Sequence, residues 1–192
     1  MTGFCDIIGQ EPVTGVLKNA VRTGKVPHAI IFDGERGMGK KTVAKAFSAA
    51  LLCLDPGEDG EPCGKCHSCI MAESGSHPDI ITVTHEKPGS IAVDEIRQQV
   101  VNDVLIKPYY GGRKIYIIPD AHLMTQQAQN ALLKTLEEPP AHAVFILATT
   151  EPHKIPATIR SRCQQFDFRR ISKKDIIGRI GEIVRGDPSA CR

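Results

Sequence analysis

Residues 34–42, "GERGMGKKT", set Gly34, Gly39 and Lys40 at the GxxxxGK spacing, with Gly37 between them. In a loop of this kind backbone N–H groups and a helix N-terminus cradle phosphate oxygens, and the lysine neutralises charge. The next position ordinarily carries a Ser or Thr hydroxyl for Mg²⁺; here it is Lys41. Thr42 follows one residue late, turned by about 100° on a helix of 3.6 residues per turn. A Lys41 ammonium at that point competes with a divalent cation.

Such a loop requires a strand before it and a helix after it. Upstream, "HAIIFDG" (28–34) is a short apolar run of strand character. Downstream, "KKTVAKAFSAALLC" (40–53) reads as a helix with Val43, Ala46, Phe47, Ala50 and Leu51 on its buried side. These flanks argue against the plainer reading, a glycine-rich turn unrelated to nucleotide. Further out, "EPVTGVLKNAVRT" (11–23) predicts an amphipathic helix burying Val13, Val16, Leu17, Ala20 and Val21, stopped by Gly24. Strands are predicted at "DIITVTH" (79–85), "RKIYIIPDAH" (113–122) and "AVFILATT" (143–150). Helices are predicted at "VDEIRQQVVNDVL" (93–105) and "QQAQNALLKTLEE" (126–138), the latter stopped by Pro139 and Pro140. Near-continuous apolar strands alternating with helices imply an α/β fold with a parallel sheet covered on both faces.

Chain length fits one full domain and the start of another: after "QQFDF" (164–168), "ISKKDIIGRIGEIV" (171–184) offers Ser172 as a cap and Ile176, Ile177, Ile180 and Ile183 as an apolar stripe. That helix has nothing after it to pack against, so a second, helical domain is expected to be cut short. The 24 Lys and Arg against 22 Asp and Glu give a net charge of +2, which argues for no nucleic-acid partner by itself. No apolar run nears the roughly 18 residues of a membrane span, and no basic-then-apolar leader opens the chain. A cytoplasmic protein without membrane contact is the expectation.

The other half of a nucleotide site is an acidic pair closing an apolar strand. "KIYIIPDAH" closes with Pro119 and Asp120. If Pro119 holds the metal-carboxylate position, the ligand is lost. If Asp120 holds it, Ala121 supplies no base. Either register lacks one group needed for hydrolysis.

Seven cysteines in a chain without a leader favour thiols or metal ligands over disulfides. Cys53, Cys63, Cys66 and Cys69 are clustered, the last three at CxxCxxC spacing; four thiolates suit a closed tetrahedral structural zinc. An iron–sulfur cluster, free thiols, or replacement of one sulfur by His67 or His77 remain alternatives. Cys5, Cys163 and Cys191 lack such spacing.

Taken in order, "FCDIIGQEPVTGVLKNAV" (4–21), "HAIIFDGERGMGKKT" (28–42), "CGKCHSC" (63–69), "NALLKTLEEPP" (130–140) and "ILATTEPHKIPATIRSRCQQFDF" (146–168) resemble the AAA+ module of the bacterial DNA polymerase III clamp loader, over about residues 4–185. The resemblance implies a three-layer P-loop fold with a five-stranded parallel sheet. It implies an AAA+ domain over 1–168, an inserted zinc module at 53–69, and the start of a helical lid at 169–192. Motor subunits of that family, gamma and tau, carry a hydroxyl at position 41 and an Asp–Glu pair at 119–120. Lys41, Pro119 and Asp120 depart from that pattern and favour the delta-prime type, whose own site is degraded and whose ATP or ADP binding is weak or absent.

By the same resemblance Arg162, in Ser161–Arg162–Cys163, is an arginine finger for the ATP site of a neighbouring subunit. Thr150 occupies the position that senses a γ-phosphate, and Asp120 belongs to the degenerate nucleotide site. The plainer readings are a surface arginine in an intrachain ion pair and a strand-end hydroxyl. Implied partners are gamma/tau and delta subunits, with the sliding clamp and primed DNA reached through the complex; the fragment alone is expected to be monomeric. A gamma/tau-type ATPase is the alternative. A zinc-ribbon nucleic-acid binder is disfavoured, since "CGKCHSC" holds one lysine and no aromatic.

Overall fold

A computed structural model describes residues 3–110 and 112–185. Five strands form one parallel sheet in the order β2-β3-β4-β1-β5: β1 Ala29–Asp33, β2 Ile80–Thr82, β3 Lys114–Ile118, β4 Ala143–Thr149 and β5 Gln164–Asp167. The central strands β1, β3 and β4 are apolar at nearly every position because both faces are covered, as a parallel sheet requires. Alternate side chains serve two cores. Ile30, Phe32, Ile117 and Ile146 pack under helices α1 (Glu11–Thr23) and α2 (Lys40–Leu52). Ala29, Ile31, Tyr116, Phe145 and Leu147 pack against α4 (Val93–Ile96) and α5 (Gln126–Glu137).

The order of strands puts β1 between β4 and β5, so the loop leaving β1 opens where β3, β4 and β5 also end. A crevice beyond the carboxyl ends of a parallel sheet is where such folds accept ligands. Remaining helices are α3 (His67–Ser74), α6 (Ala157–Arg160) and α7 (Lys173–Arg185).

Helix boundaries follow local chemistry. Pro12 sits in the first turn of α1, and Gly24 ends it at φ 69°, a left-handed conformation that glycine adopts without cost. The Thr125 hydroxyl accepts the Ala128 N–H at the start of α5. Ser172 caps α7, its Oγ accepting from Asp175 N–H at 3.2 Å while donating to the Asp175 carboxylate at 2.7 Å.

The structure corrects the predicted pattern in three places. Val16 of α1 is 45% exposed rather than buried, and Thr14 takes an inward position instead. The helix expected over 93–105 is α-helical only to Ile96, widens to a π turn over Arg97–Val101 and closes as a 3₁₀ turn, Asp103–Leu105. Its buried residues Ile96, Val100 and Val104 recur every four positions, more than 3.6 per turn, and a widened turn keeps all three on the sheet. The strand expected over 79–85 is short because β2 is an edge, with one neighbour only.

Ile176, Ile177 and Ile180 of α7 are 46%, 69% and 55% exposed. The side chain of Ile183, and Cys191, lie outside the described residues. No helix among the described residues is long and apolar enough to cross a membrane.

Candidate functional site

A cleft of about 330 Å³ opens at the β1–α2 loop, lined by Arg36, Gly37, Met38, Gly39, Lys40, Lys41, Thr42, Pro119, Asp120, Ala148 and Thr150. Three separate segments, the glycine loop, the end of β3 and the end of β4, thus meet at one point. Gly37, Gly39, Lys40, Lys41, Thr42, Asp120 and Thr150 all line this cleft. Gly34 is not on the cleft wall: a Cβ there would lie 2.8 Å from Phe168 Cβ and 3.2 Å from its carbonyl oxygen. That glycine lets the chain after β5 pass close, a packing role that the motif spacing does not distinguish from ligand contact.

Cations dominate the cleft. Lys40 donates through Nζ to the carbonyl oxygens of Gly34 and, at 2.8 Å, Glu35, so its ammonium rests on the loop. Burial lowers its pKa, while the carboxylates of Asp33 and Asp120 pull the other way. Burial, then the neighbouring Asp167 on the paired strand, raises the pKa of Asp33. Arg36 and Lys41 are exposed cations on the same wall, which the GxxxxGK spacing alone does not single out in the case of Arg36. The loop is tied to the far side of β5 by Arg170, whose guanidinium donates to both Glu35 carboxylate oxygens at 2.8 Å and holds that carboxyl below its usual pKa.

At the end of β3, Pro119 and Asp120 both face the cleft, so neither register of the acidic pair is favoured by position. Asp120 has φ 52° and ψ 45°, the one non-glycine residue with positive φ among the described residues. Left-handed backbone costs a non-glycine residue about 1–3 kcal/mol and persists where surrounding structure imposes it. Next to it, the His122 Nδ1 lies 3.3 Å from Thr149 Oγ1, and Glu151 N–H donates to the same hydroxyl at 3.0 Å. Thr149 is therefore a buried bracket, while Thr150 lines the cleft. Sequence reasoning missed His122, whose proximity to Thr149 depends on β3 and β4 being adjacent.

Arg162 is outside the cleft lining. Its Nη2 donates to Glu137 Oε1 at 3.0 Å and Nη1 to the Thr158 carbonyl oxygen at 2.7 Å, with the side chain 36% exposed. The pairing joins the "LEEPP" end of α5 to the turn after α6. Cys163, its neighbour, packs into the core, where burial pushes its thiol up to about 12.

The sulfurs of Cys53, Cys63, Cys66 and Cys69 all lie within 4.8 Å of one another. Tetrahedral zinc with bonds of about 2.3 Å requires sulfurs about 3.8 Å apart, and Cys53 Sγ and Cys66 Sγ are 4.0 Å apart. Backbone N–H groups already point at these sulfurs: Cys63 N to Cys53 Sγ at 3.2 Å, Cys66 N to Cys63 Sγ at 3.3 Å, Cys69 N to Cys66 Sγ at 3.4 Å. Burial acts to raise the Cys66 pKa, but N–H groups of Leu54 and Cys69 outweigh it and bring the thiol down to about 6. Burial pushes Cys53 and Cys69 up. The four cysteines can hold one metal ion with no position open to a substrate. His77, the alternative to one of the sulfurs, has both ring nitrogens engaged elsewhere, Nδ1 accepting from Asp79 N–H at 3.1 Å and Nε2 bonded to Ser68 Oγ at 3.0 Å.

Residues 9–172 match the sequence pattern of a family described as "DNA polymerase III, delta subunit". The chain is 48% identical over 181 residues to the DNA polymerase III subunit tau of Bacillus subtilis, covering 94% of this chain and 31% of that protein. With the Escherichia coli subunit tau it shares 38% identity over 181 residues, covering 94% and 28%. The chain therefore spans less than a third of either relative. Among solved structures, a DNA polymerase III gamma subunit-related protein of Thermotoga maritima superposes with TM-score 0.61 at 28% identity, covering 90% of this chain and 52% of that one. The Thermotoga maritima RuvB branch migration motor, at 18% identity and TM-score 0.58 over 96% of this chain and 54% of that one, shares the fold alone. The α/β, P-loop AAA+ fold is thereby shown.

Proposed function

Because the chain belongs to the clamp-loader subunit family of DNA polymerase III, we propose that it is a non-motor member of such a complex, holding a place in the ring and presenting Arg162 to a neighbour's nucleotide. The observation that carries this reading is the company of Lys41 and Pro119 on one cleft wall, where a motor needs a metal-binding hydroxyl and a carboxylate. A cleft with three cations and one carboxylate has little to hold Mg²⁺ with, so intrinsic ATP turnover is weak or nil. This is the delta-prime type of role.

Under the same reading, residues 1–168 form the AAA+ body and 169–192 begin a lid, with the cysteine cluster a structural zinc module inside 53–69. Zinc at four thiolates fastens a segment rich in Gly and acid that buries few apolar side chains, and supplies no catalytic water. Partners are the gamma/tau and delta subunits, and through them the sliding clamp and primed DNA in the cytoplasm.

A half-buried guanidinium held by one exposed carboxylate and one backbone carbonyl is available for exchange, since surface ion pairs are worth about 0.2–1 kcal/mol. Arg162→Ala in a reconstituted clamp loader is expected to slow hydrolysis at one adjacent site by about 10³-fold or more, by single-turnover assay, with zinc content unchanged. Unaltered turnover removes the role. A second reading, a gamma/tau-type ATPase, is favoured by the 48% identity to a tau subunit. Brisk ATP hydrolysis by the purified chain alone decides for it.

A further inference from the structure

Helix α3 starts within the cysteine cluster, packs against α2 and buries Ser68 and Cys69 in its first turn. Cys66 stands at its N-cap, with the thiol accepting the Cys69 N–H. From that first turn two side chains reach across the edge of the sheet. Ser68, 3% exposed, bonds His77, also 3% exposed. His67 and His77 both meet the ring of Tyr110 edge-on, with centroids 5.7 and 6.0 Å away and interplanar angles of 64° and 71°.

The same loop is gripped from below by Asp79. Its carboxylate is fully buried and accepts the backbone N–H groups of Tyr109 at 2.7 Å and Tyr110 at 2.9 Å, while its own N–H donates to His77 Nδ1. With Nδ1 accepting, the His77 proton sits on Nε2 and donates to Ser68. Each member of the chain Cys66–α3–Ser68–His77–Asp79–Tyr110 thus orients the next. The loop so held presents Leu105, Ile106, Tyr109 and Tyr110, which are 79%, 55%, 78% and 54% exposed. Nearby β2 spans only three residues with one neighbouring strand, too little to impose this posture by itself.

We propose that a metal at Cys53, Cys63, Cys66 and Cys69 is the anchor of the Tyr109–Tyr110 loop, transmitted by His67, Ser68 and His77. Metal occupancy sets the position of an exposed aromatic pair on a different segment of the chain. Metal at the first turn of α3 fixes where Ser68 and His67 stand. Loss of it frees that turn, and the histidines lose the geometry that holds Tyr110. The inference rests on the metal-binding reading of the cysteines and is independent of the nucleotide cleft.

The three tyrosines supply an internal control, because Tyr116 is fully buried in the sheet core. The 192-residue chain labelled with 3-fluorotyrosine, loaded with Zn²⁺ under reducing conditions, is compared by ¹⁹F NMR before and after chelation. Tyr→Phe variants assign the lines, and zinc stoichiometry is measured in parallel. The expected result is a shift of the Tyr110 line toward that of the free amino acid on chelation, an unmoved Tyr116 line, and recovery on adding Zn²⁺. His77→Ala, which leaves all four cysteines, is expected to keep its zinc while Tyr110 no longer responds to chelation. Zinc bound with no response of Tyr110 overturns the anchor. Failure to bind zinc overturns it together with the metal reading. Collapse of all three lines overturns it as well, since the metal would then support the whole fold rather than this loop. A His77→Ala chain whose Tyr110 still responds to chelation overturns the proposed transmission.

Discussion

Helix α2 has a different kind of site at each end. On the proposed reading, the glycine loop at its N-terminus keeps the shape of a phosphate cradle while Lys41 and Pro119 stand on the wall where motor chemistry needs other groups. At its C-terminus Cys53 joins three further cysteines, all four sulfurs within 4.8 Å. Shape and chemistry have parted at one end and stayed together at the other. The physical difference is what each end does for the fold. A tetrahedral thiolate site has no tolerance for a missing ligand, because the metal is itself the packing. A phosphate loop is also a strand–helix connection, and it can go on connecting without binding anything.

On that contrast, Cys69→Ser is expected to have the largest effect. Stoichiometric zinc is lost and the melting temperature falls by about 10 °C or more, on a scale of roughly 2–4 °C per kcal/mol for a chain this size. Metal analysis and calorimetry check both. Gly34→Ala is expected to destabilise by about 1–3 kcal/mol, with or without nucleotide present, because its Cβ would meet Phe168 at 2.8 Å. A loop kept only for nucleotide would show that penalty in binding alone. Lys40→Ala comes next, at about 1 kcal/mol or less in chemical denaturation, since it loses bonds to two loop carbonyls. In an assembled complex it is expected to leave ATP turnover unchanged, and complete loss of turnover would transfer this chain to the motors.

The smallest effect is a pH dependence. Burial, partly opposed by Asp79, lowers the pKa of His77. Below its ordinary value of about 6.5 the unfolded chain therefore binds a proton that the folded chain resists, and stability falls as pH drops through that region. One proton contributes at most about 1.4 kcal/mol per pH unit. Thermal melts between pH 5 and 7.5 for the parent and for His77→Gln are expected to show this component in the parent only.

Much of the molecule was legible in the linear order of residues. The strands at 29–33, 114–118 and 143–149 stand out as apolar runs because both their faces are buried, and α2 and α5 as 3.6-residue periods with clear stops. CxxCxxC spacing announces its ligands, since consecutive turns bring near neighbours in sequence together in space. Less visible were the features that depend on which strands lie side by side. His122 against Thr149 and Arg162 against Glu137 are each 25 or more residues apart in sequence. The π turn at 97–101 escaped because periodicity of four and of 3.6 differ little over two turns.

Residue identity alone determined the α/β class, the glycine loop with its missing hydroxyl and the clustering of four cysteines, because each depends on local spacing or on which atoms are present. Tertiary structure alone decided that Gly34 serves packing, that Arg162 rests on Glu137, that His77 is spoken for by Ser68 and Asp79, and that the cysteine module reaches Tyr110. His77 meets Ser68 and Asp79 within about one turn-and-loop of sequence, but the other contacts join segments far apart along the chain that only the tertiary fold brings within bonding distance.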